Sequence, residues 1–448
     1  MKIIVVGAGK VGFVLAHMLS LEDHDVVVLD RKSERIATVD ERLDVETVLG
    51  SCTSTAILKE AGIEEADMLL AVTERDELNI VACFIAKSFG VKTTVARVRS
   101  PEFVDIDQET TKKALGIDMI INPERVAAHQ IAKTVDYPDA LNVEFYGDGR
   151  VVLLEFRITS NSKVVNKQLK DIKTDHSYLI VGIIRNGSMI IPGGDDYIRE
   201  RDLLFLITDI HKMDEVELAF GQSRRKAKNV TIVGGDTISY YLASELEAKG
   251  LNIKIFEEDF EQCKVLAEQL NDSLVIHGDA TDIQLLRDEN VEESDLFAAV
   301  TDDDHFNVLS AILAKQLGAP RAVTQLKMSD YIPMAEKIGI DQSISPRMLA
   351  ASAIMKYVRL SNIVSITLIG DANAHVLEID APKKSRHLNV PLMDLEFPKN
   401  AILGTIIRGT EVIVPKGSDR ILPGDRMIIF ALPEASREAE RFFKNSGD

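Results

Sequence analysis

Six residues near the amino end, Gly7-Ala8-Gly9-Lys10-Val11-Gly12, have the types and spacing to hold a phosphate group. They form a GxGxxG, which carries little alone and gains meaning when it follows a buried strand and opens a helix. Here Lys2–Val6 is a continuous apolar run, and a helical pattern extends from about Lys10 to Leu21. Each glycine has a physical task. Gly7 makes the tight turn, Gly9 lets phosphate approach the backbone, and Gly12 lets the helix pack close to the strand. The unpaired N–H groups of the first helical turn then face the phosphates, aided by the helix dipole. Asp30 ends the second apolar run, 18 residues past Gly12, where a carboxylate accepts two hydrogen bonds from a ribose diol and repels a 2′-phosphate. That favours NAD(H) or an adenine mononucleotide over NADP(H), although the neighbouring Arg31 and Lys32 could serve a 2′-phosphate.

Further candidates fall where strands of such a sheet would end. Gly50-Ser51-Cys52-Thr53 follows the third strand, where a loop can lie along an adenine. Val72-Thr73, followed by Glu74, ends the fourth, at the carboxyl edge where ligands of open α/β folds bind. Asp76 and Asn79 open the next helix and either cap it or touch the ligand. Arg97 ends the fifth strand and either reaches a phosphate or joins a surface ion pair.

The chain then says nearly the same thing again. Residues 50–90 align without a gap to residues 278–318, with 14 of 41 positions identical. A repeat period of about half the chain is too long for a solenoid, so each copy should be a folded unit. The second copy has lost part of the chemistry. Its loop reads Gly234-Gly235-Asp236-Thr237-Ile238-Ser239, so an acid replaces the glycine that admits phosphate and a serine replaces the packing glycine. Glu257 still supplies a diol acceptor, and Gly278-Asp279-Ala280-Thr281 and Thr301 persist, but Gln325 stands in place of Arg97. The second site is expected to bind weakly, to take something less anionic, or to stay empty.

Strands near Lys2–Val6, Asp25–Leu29, Val45–Leu49, Met68–Val72 and Thr93–Val98 must position these residues, with helices between them, most clearly Glu77–Phe89. This alternation predicts α/β architecture: two tandem Rossmann-like lobes, each a doubly wound parallel sheet. Each lobe closes with a proline-led helix, at Pro123 and at Pro346, which is either a hinge or dimer contact or an ordinary core helix. After each helix the pattern becomes short alternating strands with turns. Residues 190–207 and 413–430 pair through Pro192, Gly194, Asp196, Ile198 and Asp202 against Pro415, Gly417, Asp419, Ile421 and Asp425. The expected domains are a first Rossmann-like lobe at 1–136, a small lobe at 137–222, a second Rossmann-like lobe at 229–359 and a second small lobe at 360–448. The break between halves falls in the basic linker Ser223–Lys228.

Composition excludes several classes. A net charge of −19 argues against a nucleic-acid partner and against a polybasic membrane patch. No stretch approaches the ~18 apolar residues of a membrane span. Three cysteines, Cys52, Cys83 and Cys263, lack metal spacing and suit a reducing cytoplasm. Nine histidines are scattered without an evident carboxylate partner, which disfavours a dehydrogenase with its proton donor, the alternative reading of two Rossmann lobes. Asp302-Asp303-Asp304 and Asp195-Asp196 could hold a hard cation or be solvated turn residues and helix caps.

The strand-GAGKVG opening, Asp30, the Gly50-x-x-Thr53 loop, the AVTxxDxxN run from Ala71 to Asn79 and the paired small lobes resemble the tandem RCK (KTN) family of TrkA-type regulatory subunits of Trk potassium uptake systems. The resemblance spans essentially the whole chain. It implies Rossmann-like lobes each followed by a small α+β lobe of the RCK C type, with units pairing through their nucleotide lobes. It implies a nonenzymatic, cytoplasmic protein in a tetrameric homo-oligomeric ring, peripheral on the inner face of the membrane through a TrkH-like potassium-translocating subunit. It also implies NAD(H), or ATP and ADP at the same site, on positions matching Gly7 through Val11, Asp30, Thr73 and Arg97. Lys10 falls where some members carry an arginine that meets a nucleotide phosphate.

Overall fold

From its second residue onward the run Lys2–Val6 is buried, as only a strand covered on both faces can be. It is the central strand (β1) of a parallel sheet in the computed structural model, which describes the chain except residues 23, 101–113, 137–139, 161, 173–177, 214, 217–226, 360–364, 370–373 and 445–448. The linker proposed at Ser223–Lys228 lies mostly outside the described residues. In order come β1, α1 (Lys10–Ser20), β2 (Asp25–Asp30), α2 (Ser33–Arg42), β3 (Glu46–Leu49), α3 (Thr55–Glu60), β4 (Met68–Ala71), α4 (Asp76–Ser88), β5 (Thr93–Arg97) and β6 (Met119–Ile121). The sheet order is β3-β2-β1-β4-β5-β6, with every pairing parallel. The order reverses beside β1, so the carboxyl ends of β1 and β4 diverge around a crevice that opens over the Gly7–Gly12 loop.

The second copy builds the same six-stranded sheet from Asn229–Val233, Asn252–Glu257, Leu274–His277, Leu296–Ala299, Ala322–Gln325 and Gln342–Ile344. Each small lobe contributes a five-stranded sheet whose pairings are antiparallel. The chain also carries a final helix, Pro433–Lys444, which buries Ala435, Ala439 and Phe443. The alternating-strand reading of this region did not include it.

The chain's contacts group the lobes by type rather than by sequence order. One compact unit joins Met1–Ala132 with Lys228–Met355, and the other joins Lys133–Ala227 with Lys356–Asp448. Within the first unit the two Rossmann-like lobes meet directly. The Asn122 side-chain amide donates to the Tyr241 hydroxyl at 3.3 Å, and His129 Nδ1 lies 3.1 Å from Glu245. That carboxylate partner of His129 is 116 residues away in sequence, which is why no local pattern shows it. Within the second unit the two small lobes share one apolar core, including Leu153, Phe205 and Ile207 from one and Val376, Ile428 and Phe430 from the other. The rings of Phe205 and Phe430 lie 5.8 Å apart.

Candidate functional site

The glycine loop is built by close approach. Gly7 takes a φ of +104°, and a Cβ there would stand 3.0 Å from the Thr73 backbone nitrogen. A Cβ on Gly12 would lie 1.7 Å from the Gly7 carbonyl oxygen, so no other residue fits this turn without moving it. Gly9 caps α1 with no side-chain hydrogen bond, leaving the first-turn N–H groups for an anion. Lys10 is exposed at the same end, while Val11 is buried beneath it.

Asp30, 7% exposed at the end of β2, organises the loop. Its Oδ2 accepts the Ala8 N–H at 2.7 Å and its Oδ1 accepts the Lys32 N–H at 2.8 Å. Each oxygen retains a lone pair, so a ribose diol can still be accepted. Val6, Gly7, Asp30, Arg31, Cys52, Thr73 and Glu74 line a cleft of about 510 Å³, counted with its solvent-open space. Lys32, Arg35, Gly50, Ser51 and Arg75 also line it, with Leu29 and Leu78 as further apolar lining. Thr53 is exposed in the same loop as Cys52, with its N–H on the Ser51 hydroxyl, while Val72 is buried just past the carboxyl end of β4. Burial pushes the thiols of Cys52 and Cys83 up, so both stay neutral packing groups.

Two residues have tasks other than those their positions suggested. Asn79 is neither a helix cap nor on the cleft surface. It is fully buried, its carbonyl accepting the Thr73 N–H at 2.9 Å and the Thr73 hydroxyl at 2.7 Å, and its amide donating to the Thr73 and Arg97 carbonyls at 3.1 and 2.7 Å. It clamps the ends of β4 and β5, which positions Thr73. Asp76 accepts the Arg99 and Ser100 N–H groups, both at 2.8 Å, and so fixes the turn after β5. Arg97 does not line the cleft. Its guanidinium is mostly buried near the meeting of the two Rossmann-like lobes, 4.0 Å from Glu124, and burial lowers its pKa.

The sequence reading missed Arg35. From the first turn of α2 it reaches back over the loop, placing Nη1 3.4 Å from where a Gly9 Cβ would stand and 3.7 Å from Asp30 Oδ2. Its Nη2 donates to Glu74 Oε1 at 2.6 Å. The available signal was its place in the first turn of a helix that starts just after Asp30.

The second lobe keeps the clamp and changes the rim. Asn307 repeats all four bonds of Asn79, on Thr301 and the Gln325 carbonyl. Glu257 accepts the Asp259 N–H at 2.7 Å, as Asp30 accepts that of Lys32. Asp279 turns its carboxylate onto the Thr281 N–H and hydroxyl, both at 2.7 Å, with Ala280 buried between them. Gly278 packs where a Cβ would meet Leu285 at 2.4 Å. Asp236 keeps more than a third of its surface exposed, yet partial desolvation, with Asp302 and Glu257 nearby, raises its carboxyl above the usual range. The acid triplet is committed piecewise: Asp302 pairs with Lys327 at 2.9 Å, Asp303 caps the next helix, and Asp304 accepts the Lys327 and Met328 N–H groups. Likewise Asp195 pairs with Lys170, and Asp196 accepts the Gly193 N–H. Among the described residues no group of three or more His, Cys, Asp or Glu side chains is arranged to hold a metal ion.

Fold and site together define a protein of two dinucleotide-fold lobes alternating with two small antiparallel lobes, one glycine loop intact and one altered. The TrkA-N domain family matches residues 3–123 and 230–346, and the TrkA-C domain family matches residues 153–221 and 376–444. A Trk system potassium uptake protein TrkA homolog of Methanosarcina mazei is 36% identical over 452 residues, 99% of this chain and 100% of the relative. The Trk system potassium uptake protein TrkA of Azorhizobium caulinodans is 33% identical over 454 residues, 100% of this chain and 99% of the relative. The chain belongs to this TrkA family. Its fold is that of the GsuK RCK domain (TM-score 0.62, 17% identity, 99% of this chain and 95% of that one) and of the GsuK channel bound to NAD (TM-score 0.63, 17% identity, 99% and 79%). No helix among the described residues is long and apolar enough to cross a membrane.

Proposed function

We propose that the chain is a regulatory subunit of a potassium uptake system that senses an adenine nucleotide, NAD(H) or ATP and ADP, in the cleft of its first Rossmann-like lobe. The observation that carries this reading is the Gly7–Gly12 loop: two glycines that admit no side chain, an uncapped helix and a nearly buried carboxylate bordering one cleft. The diphosphate lies on the first-turn N–H groups with Lys10 beside it, Asp30 clasps the ribose, and the Gly50–Thr53 loop borders the adenine. Family membership supports the potassium-uptake role, and the NAD-bound channel of like fold supports the choice of ligand.

Binding acts by differential affinity for two arrangements of the assembly, since a ligand moves an equilibrium only by that difference. Coupling of ~1–3 kcal/mol per site is typical. The protein acts as a cytoplasmic homo-oligomeric ring, a tetramer, docked on a TrkH-like membrane subunit that carries the ions. Arg97 contributes its charge where the two lobes meet, and the Pro123 and Pro346 helices carry the change onward. Glu257, Gly278–Thr281 and Thr301 form a second cleft of much lower affinity for anions.

Calorimetric titration of the full chain with NADH, ATP and ADP tests this. One site per chain is expected, weakened at least tenfold by Asp30→Ala, with ligand recovered unchanged. Steady oxidation of NADH with a small carbonyl substrate would instead establish a dehydrogenase. Two equal sites would refute the reading of Asp236.

A further inference from the structure

The Arg35–Glu74 pair spans the cleft where a nucleotide has to enter. Arg35 comes from α2, on the β2 side, and Glu74 from the loop after β4, on the other. Their 2.6 Å contact passes over Gly9, the residue whose lack of a side chain opens the loop to phosphate. The guanidinium also lies 3.7 Å from Asp30, the carboxylate assigned to the ribose. A dinucleotide or nucleoside diphosphate laid on this loop brings its phosphates into the space between Arg35 and Gly9, with Glu74 facing them as a like charge.

The second lobe shows what the cleft looks like without this pair. Gln262 and Asp302 occupy the matching positions, and they do not meet. Gln262 Nε2 donates to the Gly235 carbonyl at 2.6 Å, and Asp302 turns to Lys327. The cross-cleft ion pair therefore belongs to the lobe that keeps the intact glycine loop, which ties it to the ligand rather than to the fold.

Resting on the nucleotide-binding reading of the cleft, we propose that Glu74 competes with the ligand's phosphate for Arg35 and thereby sets which nucleotides bind. Arg35 is a phosphate-binding residue, held by Glu74 until an anion displaces it. The guanidinium is matched to phosphate by its two-pronged N–H geometry, and a phosphate with more charge displaces a carboxylate better than one with less. The exchange discriminates against weakly charged ligands: ATP and ADP gain more from Arg35 than NAD(H) does. Glu74 titrates below the ordinary carboxylate range because of its hydrogen bond from Arg35, so it stays charged and competitive near neutrality.

Calorimetric titration of NADH, ADP and ATP into wild type, Glu74→Gln, Arg35→Gln and the double variant tests the exchange. Removing one charge-assisted hydrogen bond changes affinity by about tenfold. Arg35→Gln should therefore weaken ATP and ADP about tenfold and NADH less. Glu74→Gln should tighten all three, ATP most, and should do so several-fold less in the Arg35→Gln background, where only like-charge repulsion is relieved. Overturning results are an equal gain from Glu74→Gln with or without Arg35, which would make Glu74 a general repulsive charge, or unchanged binding in Arg35→Gln. Wild type that binds none of the three overturns both the exchange and the nucleotide reading. Wild type that binds normally with no response in either single variant overturns the exchange alone.

Discussion

The two Rossmann-like lobes share a sheet order and an asparagine clamp, yet differ at most of the charged positions that face their clefts. Arg31, Lys32, Arg35 and Arg75 line the first cleft, with Lys10 exposed at the start of α1; the matching positions of the second lobe hold Glu258, Asp259, Gln262, Asp303 and Thr237. Helix capping shows the physical basis of the change. In the second lobe Asp259 and Asp303 are N-caps, each carboxylate accepting two backbone N–H groups of its helix. Lys32 and Arg75 occupy those positions in the first lobe and make no capping bond. The first lobe therefore forgoes stability at the two helix starts bordering its cleft and gains two cations there. The second lobe has optimised caps and an acidic rim. Residues that violate a local rule beside a cleft mark a site under functional demand.

The sheets and small lobes show the opposite behaviour, because both copies need the same support. Arg185 pairs with Asp202, and Arg408 with Asp425, each through contacts of 2.9 and 2.7 Å, and each acid is 2% exposed. Removing either acid breaks its bidentate bonds to an arginine that solvent reaches and orphans the backbone N–H of Arg199 or Leu422. Asp202→Ala and Asp425→Ala should each cost about 2–3 kcal/mol in chemical denaturation, by similar amounts. A large inequality would mean that the small lobes are less alike than their geometry.

The glycine loops give a sharper test. Gly12→Ala should weaken nucleotide binding roughly a hundredfold, about 2.7 kcal/mol, because its methyl group must displace the Gly7 carbonyl. Ser239 sits at the matching position with its hydroxyl buried and without a hydrogen-bond partner among the described residues. Ser239→Ala should be neutral or stabilise by up to about 1 kcal/mol in thermal melts. Retained binding in Gly12→Ala would show that the ligand does not use this turn.

Capping separates stability from binding directly. Lys32→Asp should stabilise the fold by about 1 kcal/mol, the worth of an N-cap, while weakening ATP binding in the same preparation. If both quantities fell, Lys32 would be a structural residue and the contrast between the lobes would lose its functional meaning.

The smallest effect concerns Asp236, whose carboxyl is raised by partial desolvation and by Asp302 and Glu257. For a raised carboxyl, the stabilising contribution of its protonated form is present in full below the unfolded-state value and is lost as pH rises through the folded-state one. Because solvent screens this exposed carboxylate, Asp236→Asn should raise the melting temperature only slightly at neutral pH, by about a degree, and leave it unchanged near pH 3. A larger gain in acid than at neutrality would contradict the assigned direction.

Much of this molecule was legible in its residues because the signals are local. The apolar runs, their period and the intervening helices identify the parallel sheets, since a strand buried on both faces must be apolar throughout. The loop Gly7–Gly12 and Asp30 are recognisable for the same reason: a turn that excludes every side chain leaves glycine as its signature. The repeat between residues 50–90 and 278–318 revealed the duplication, and the acid at Asp236 revealed its divergence. Tertiary structure alone decided which residues join the lobes, because the surfaces that join the two Rossmann-like lobes, and separately the two small lobes, come from residues more than a hundred positions apart. It also decided what the polar side chains do. Asn79 looks like a helix cap until β4 and β5 converge on it, Arg97 looks like a cleft residue until the fold buries it beside Glu124, and Arg35 is marked only by its place in the first turn of α2. A side chain's bonds are set by what the fold brings within 3 Å of it, and sequence spacing fixes that distance only within a turn or a helix.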